Sequence, residues 1–104
     1  MYIHLRTYNL KKSLVQQEEL NKSLKFSVYE SYRDGKEKSS VRIAHLGSIH
    51  VWQLIQSPEK KEEFLQGIKD KLNSPPLLVE RKKLLADFNR KIAEYDPTAL
   101  ISDQ

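Results

Sequence analysis

Residues 25–47, KFSVYESYRDGKEKSSVRIAHLG, decide the fold class of this 104-residue chain. From 25 to 33 the residue types alternate strictly. Phe26, Val28, Glu30 and Tyr32 share one parity; Lys25, Ser27, Tyr29, Ser31 and Arg33 share the other, the period-two repeat of a β-strand. Asp34-Gly35 then signals a tight type I′ reversal, which needs positive φ at both central residues. Residues 39–46 resume the alternation. With Asp34-Gly35 as the loop, Arg33 faces Lys36, Val28 faces Val41 and Phe26 faces Ile43, so apolar meets apolar on one face.

That register makes a chemical statement about the other face. It presents Lys25, Ser27, Tyr29, Ser31 and Arg33 beside Lys36, Lys38, Ser40 and Arg42, with no carboxylate among them. Glu30 and Glu37 fall on the core parity near the tip. A two-stranded ribbon of this kind fits the DNA major groove, and Lys, Arg, Ser and Tyr are the usual phosphate and sugar contacts. The competing explanation is plain solubility, since exposed hairpins carry Lys and Ser to discourage edge pairing.

Outward from the hairpin, residues 2–8 alternate weakly and read as a first strand. Residues 10–24 read as a short helix, with Ser13 and Gln16 spaced as a capping box, or alternatively as a long polar loop. Val51, Leu54 and Ile55 suggest a short helix or packed loop over 48–56, with Trp52 off the stripe. Ser57-Pro58-Glu59 is a helix start: a hydroxyl cap, proline in the first turn and an acid at the positive end of the dipole. Phe64, Leu65, Ile68 and Leu72 then make an apolar stripe over 58–72. A second helix is expected over 77–95, with Leu77, Arg81, Leu84, Leu85, Phe88, Ile92 and Tyr95 on one face. Asp96-Pro97 ends it, leaving 98–104 as a loose tail. The expected architecture is α+β: a small antiparallel sheet, made of the N-terminal strand and the hairpin at 25–47, packed by two C-terminal helices in a single domain over 1–97.

Charge follows the same division. The net +4 comes entirely from residues 1–56, which hold nine Lys or Arg against five Asp or Glu, while 57–104 is balanced. A one-sign surplus in the half that contains the hairpin is the pattern of a binding surface, where mixed-sign charge is that of solvated helix faces. The chain has no cysteine, no apolar run long enough to span a bilayer and no signal-type segment, which together suggest an intracellular, cytoplasmic protein.

Met1-Tyr2-Ile3, Arg6-Thr7, Val28-Tyr29-Glu30-Ser31-Tyr32-Arg33-Asp34-Gly35-Lys36 and Val41-Arg42-Ile43-Ala44-His45-Leu46-Gly47 resemble the N-terminal region of DDE-type insertion-sequence transposases. There an opening strand leads to a similar hairpin ahead of the catalytic domain. The resemblance covers residues 1–49. It implies a mobile-element origin and a role for Arg6, Arg33, Lys36 and Arg42 in binding DNA ends. This chain departs from the pattern at Glu37, Ser39 and Ser40, where the family is richly basic, and in a longer segment at 10–24. Its 104 residues leave no room for the nuclease-like catalytic domain, so transposition chemistry is not expected.

Other constellations are weaker. His4, His45 and His50 match no zinc spacing; His45 is expected to cap the inner face of the hairpin and His50 the following turn. The pairs Glu18/Glu19 and Glu62/Glu63 read as solvated helix faces, and no glycine-rich phosphate loop occurs. No catalytic residue, metal or cofactor is expected. Glu80-Arg81-Lys82-Lys83 reads as a solvated face, with contact to a nucleic-acid backbone as the alternative. Trp52, the lone tryptophan, is a core or hinge residue or else the anchor of a partner surface. The leading expectation is a nucleic-acid-binding module acting on duplex DNA through Arg6, Lys25, Tyr29, Arg33, Lys36, Lys38 and Arg42. The alternative is a small phage- or mobile-element-encoded regulator or inhibitor that binds a host protein or nucleoprotein complex. A homodimer would strengthen a ribbon that binds weakly alone. No membrane partner is expected.

Overall fold

A computed structural model describes residues 1–9 and 21–101. It is an α+β fold, with a three-stranded antiparallel sheet in the order β1-β2-β3, covered on one face by helices. The strands are β1 (Tyr2–Asn9), β2 (Lys22–Asp34) and β3 (Glu37–His50). Three helices follow, α1 (Val51–Gln56), α2 (Pro58–Leu72) and α3 (Arg81–Ile92), with a 3-10 turn at Leu77–Glu80 leading into the last.

The inner face of the sheet carries Ile3, Leu24, Phe26, Val28 and Ile49, all buried. Against it lie Phe64, Ile68 and Leu72 of α2 and Leu84, Leu85, Phe88 and Ile92 of α3. Phe26, Phe64 and Phe88 meet as three tilted pairs, with centroids 4.9 to 6.2 Å apart. Such offset pairs add about 0.5–1.5 kcal/mol each beyond the area they bury. Phe64 packs directly onto the backbone of β3, since a Cβ at Gly47 would stand 3.4 Å from its ring.

The hairpin forms, two residues out of the expected register. Gly35 and Lys36 are the loop residues and Asp34 pairs with Glu37. Gly35 has φ +64°, and no other described residue has positive φ, so the glycine takes the first central position that a type II′ turn reserves for it. Lys36 therefore sits in the turn instead of on the basic face. Two bulges follow, with Ile43 and Leu46 as the extra residues of β3, so Val28 pairs with Ala44 and Phe26 with Gly47. The cause is visible in β3 itself. Ile43, Leu46 and Ile49 are spaced by three, and an extra residue in each interval keeps all three against the core. Val41, expected inside, is 48% exposed opposite Glu30, because the hairpin runs on past the helices as a two-stranded arm.

Other boundaries also moved. β2 begins at Lys22, so residues 22–24 are strand and not helix, while 10–20 lie outside the described residues. β3 takes in Ser48, Ile49 and His50, leaving a single short turn of helix in α1, where Val51 and Leu54 are buried but Ile55 is exposed. Ser57 does cap α2, but with its backbone carbonyl, which accepts from Lys61 N–H at 3.0 Å; its hydroxyl makes no cap bond. The expected helix over 77–95 divides into the 3-10 turn and α3. The expected loose tail is docked as far as Ile101. Ala99 and Ile101 are buried, and the Asn89 side-chain amide both donates to Ile101 O and accepts from Ile101 N–H, each at 2.9 Å.

Both sheet edges are tied to helices. Ile3 N–H on β1 donates to the Asp87 carboxylate at 2.9 Å, and Lys71 of α2 donates to His45 O on β3 at 2.8 Å. These contacts occupy edge groups that would otherwise invite another strand.

Candidate nucleic-acid interface

The face of the sheet opposite the helices is assembled by strand pairing. Residues directly opposite each other in an antiparallel pair share a face. Arg6 pairs with Lys25, His4 with Ser27, and Tyr2 with Tyr29; on the other side Tyr29 pairs with Arg42, Ser31 with Ser40, and Arg33 with Lys38. The two bulges keep His45 opposite Ser27 and Ser48 opposite Lys25, so this face continues across β3. His45 is thus an outer-face residue and not a cap on the inner one. Each extra residue flips the parity that simple alternation assigns.

The outer face therefore holds Arg6, Lys25, Arg33, Lys38 and Arg42, three tyrosines (Tyr2, Tyr8 and Tyr29) and all three histidines of the chain. Among the described residues it carries no carboxylate. Of the expected binding residues, Arg6, Lys25, Tyr29, Arg33, Lys38 and Arg42 share this face; only Lys36 leaves it.

The rings are in contact. Tyr29 lies between Tyr2, stacked at 6.2 Å and 26°, and His4, tilted at 4.8 Å. The Arg6 guanidinium sits 4.8 Å above the Tyr8 ring centre, a cation–π geometry. Between these groups is a concavity of about 60 Å³ lined by His4, Arg6, Tyr8, Lys25, Ser27, Tyr29 and Arg42, with buried Ser27 among the lining. Three cations border this small polar hollow.

His45 extends the field. Partial burial, and then the Lys71, Lys25 and Arg42 cations, hold its imidazole below the ordinary value of 6.5. It is mostly neutral at pH 7, and an anion arriving on the face would draw its proton back.

Residues 2, 4, 8, 45 and 48 did not emerge from the hairpin's pattern. The signal for β1 was present, since Tyr2, His4, Arg6 and Tyr8 alternate with Ile3, Leu5 and Thr7. Joining them to the hairpin face required the β1–β2 register. Trp52 lies at the end of this face, beyond His50. It is half-buried and stacks on His50 at 6.3 Å and 18°, and its indole N–H and His50 Nδ1 are buried without a hydrogen-bond partner among the described residues.

Among the described residues, no group of three or more His, Asp or Glu side chains comes together to hold a metal, and no helix is long and apolar enough to cross a membrane. Comparisons with protein-family models, curated proteins and solved structures found no match.

Proposed function

We propose that this protein binds nucleic acid through the outer face of its sheet. One observation carries the reading: a carboxylate-free face, continuous over three strands, that gathers five Lys or Arg with tyrosines and histidines. Solubility alone does not require such segregation, since α2 in the same molecule interleaves four lysines with four carboxylates along its length. Such a face neutralises phosphates by releasing counterions, and its hydroxyls and rings serve sugars and bases. The resemblance to transposase N-terminal regions supports the same reading, with DNA as the ligand and a mobile element as the origin.

Five phosphate contacts give a slope of log K against log salt of roughly −4 to −5 for duplex DNA. The test is a fluorescence-anisotropy titration over a salt series, with Arg33→Ala and Arg42→Ala alone and combined. The double variant should flatten the slope by about two and weaken binding without loss of fold. No binding at low salt, or binding indifferent to both changes, would sink the proposal.

A second reading, docking on a partner protein, is favoured by the half-buried Trp52 with its unpartnered indole N–H beside exposed Ile55. It predicts that Trp52→Ala abolishes partner capture while the Arg33 and Arg42 changes leave it intact.

A further inference from the structure

We infer that the nucleic acid is taken as an unpaired strand, with a base stacked on the Tyr2–His4–Tyr29 cluster and its phosphate seated in the hollow bordered by Arg6, Lys25 and Arg42. This rests on the proposed nucleic-acid function and specifies its ligand.

The argument begins with where the rings are. Tyr2, His4 and Tyr29 stand on the broad three-stranded part of the sheet, while the projecting arm beyond Tyr29 has no ring on that face; Tyr32, 51% exposed, is on the other. A duplex read by an inserted ribbon would meet the arm, and its bases, already stacked on one another, offer only edges. An aromatic-bearing sheet face suits bases whose π-faces are free, as in single-stranded loops and ends.

The chemistry of the rings agrees. The inner face uses Phe, close-packed and buried, whereas the outer rings are Tyr and His, with polar edges for sugar and base contacts beside their stacking faces. Tyr2 and Tyr8 are six residues apart on β1, roughly 20 Å, which allows several nucleotides to lie across the face. The hollow, with Arg6, Lys25 and Arg42 in its lining beside Tyr8 and Tyr29, lies on the path of a backbone that runs from one ring group to the other and offers its phosphate a seat.

The experiment compares a labelled DNA strand of about ten bases, the RNA of the same sequence, and the corresponding DNA duplex, all at low salt, by anisotropy. The proteins are wild type, Tyr29→Leu and Tyr29→Phe, each checked for folding by circular dichroism and thermal melting. Wild type should hold an unpaired strand more tightly than the duplex. Tyr29→Leu should lose roughly tenfold on the unpaired strand and much less on the duplex, and Tyr29→Phe, which keeps the ring, should restore binding. Preference for DNA or for RNA, or equal binding of both, sustains the seat and identifies the sugar it accepts. Duplex binding as tight as strand binding, with Tyr29→Leu indifferent, overturns the seat and leaves the nucleic-acid function standing. Failure of every ligand to bind overturns both.

Discussion

The two faces of one sheet answer to different rules. On β2, Phe26 and Tyr29 are three residues apart, and each is an aromatic residue in contact with two other rings. Phe26 is closed in by Phe64 and Phe88 from two helices. Tyr29 meets Tyr2 and His4 of the neighbouring strand and remains partly open to solvent. A ring under helices is held by the free energy of burial, and a tyrosine chosen for an open face has instead a polar edge and an accessible surface for something else. The inner face therefore reports on stability and the outer one on the proposed binding, and substitutions in one should have little effect on the other.

Substitution in the triad should give the largest effect. Phe26→Ala should cost about 3–5 kcal/mol, a large fraction of the stability of a small domain, as read by urea denaturation. Tyr29→Ala should cost under about 1 kcal/mol, the scale of an exposed cross-strand pair. Equal losses would erase the distinction between the faces.

Adjacent residues of the arm sharpen the comparison by parity. Ser40 lies opposite Ser31 on the basic face and Ser39 opposite Tyr32 on the other. Ser40→Glu should weaken nucleic-acid binding about fivefold, from roughly 1 kcal/mol of charge repulsion, and Ser39→Glu should do less. The reverse order would mean that the register, and with it the composition of the face, is wrong.

His45 supplies a pH-dependent contrast. Its folded value lies below the unfolded 6.5, so its contribution to stability is complete above that pH and declines as pH falls from 6.5 toward the folded value. Binding runs the other way, because a polyanion favours the imidazolium and affinity rises over the same range. An NMR titration of the His45 ring with and without oligonucleotide should show an upward shift on binding, and His45→Gln should remove the pH dependence it contributes.

The smallest effect belongs to the docked tail. Burial pushes the Asp96 carboxyl up, but the Thr98 hydroxyl and N–H and the Lys61 ammonium, 3.0 Å away, outweigh it and hold the group below 3.8. That stabilisation is present above the unfolded value and lost as pH falls through the folded one. Thr98→Val should raise the Asp96 titration midpoint by NMR and speed amide exchange near Ile101, with nucleic-acid affinity unchanged.

Sequence by itself determined the hairpin, the basic parity of β2 and the span of α2, because alternation, Asp-Gly and Ser-Pro-Glu are local signals that act within a few residues. It also separated Lys25, Ser27, Tyr29, Ser31 and Arg33 from the carboxylates, since parity along one strand needs no partner. Tertiary structure alone decided which residues of β1 and β3 complete that face. The loop moved to Gly35-Lys36 and two residues bulged so that Ile43, Leu46 and Ile49 could all meet the helices, and those shifts turned His45 outward and took Lys36 off the face. Register is a bargain between strands and the helices they must pack against, and no single strand contains its terms.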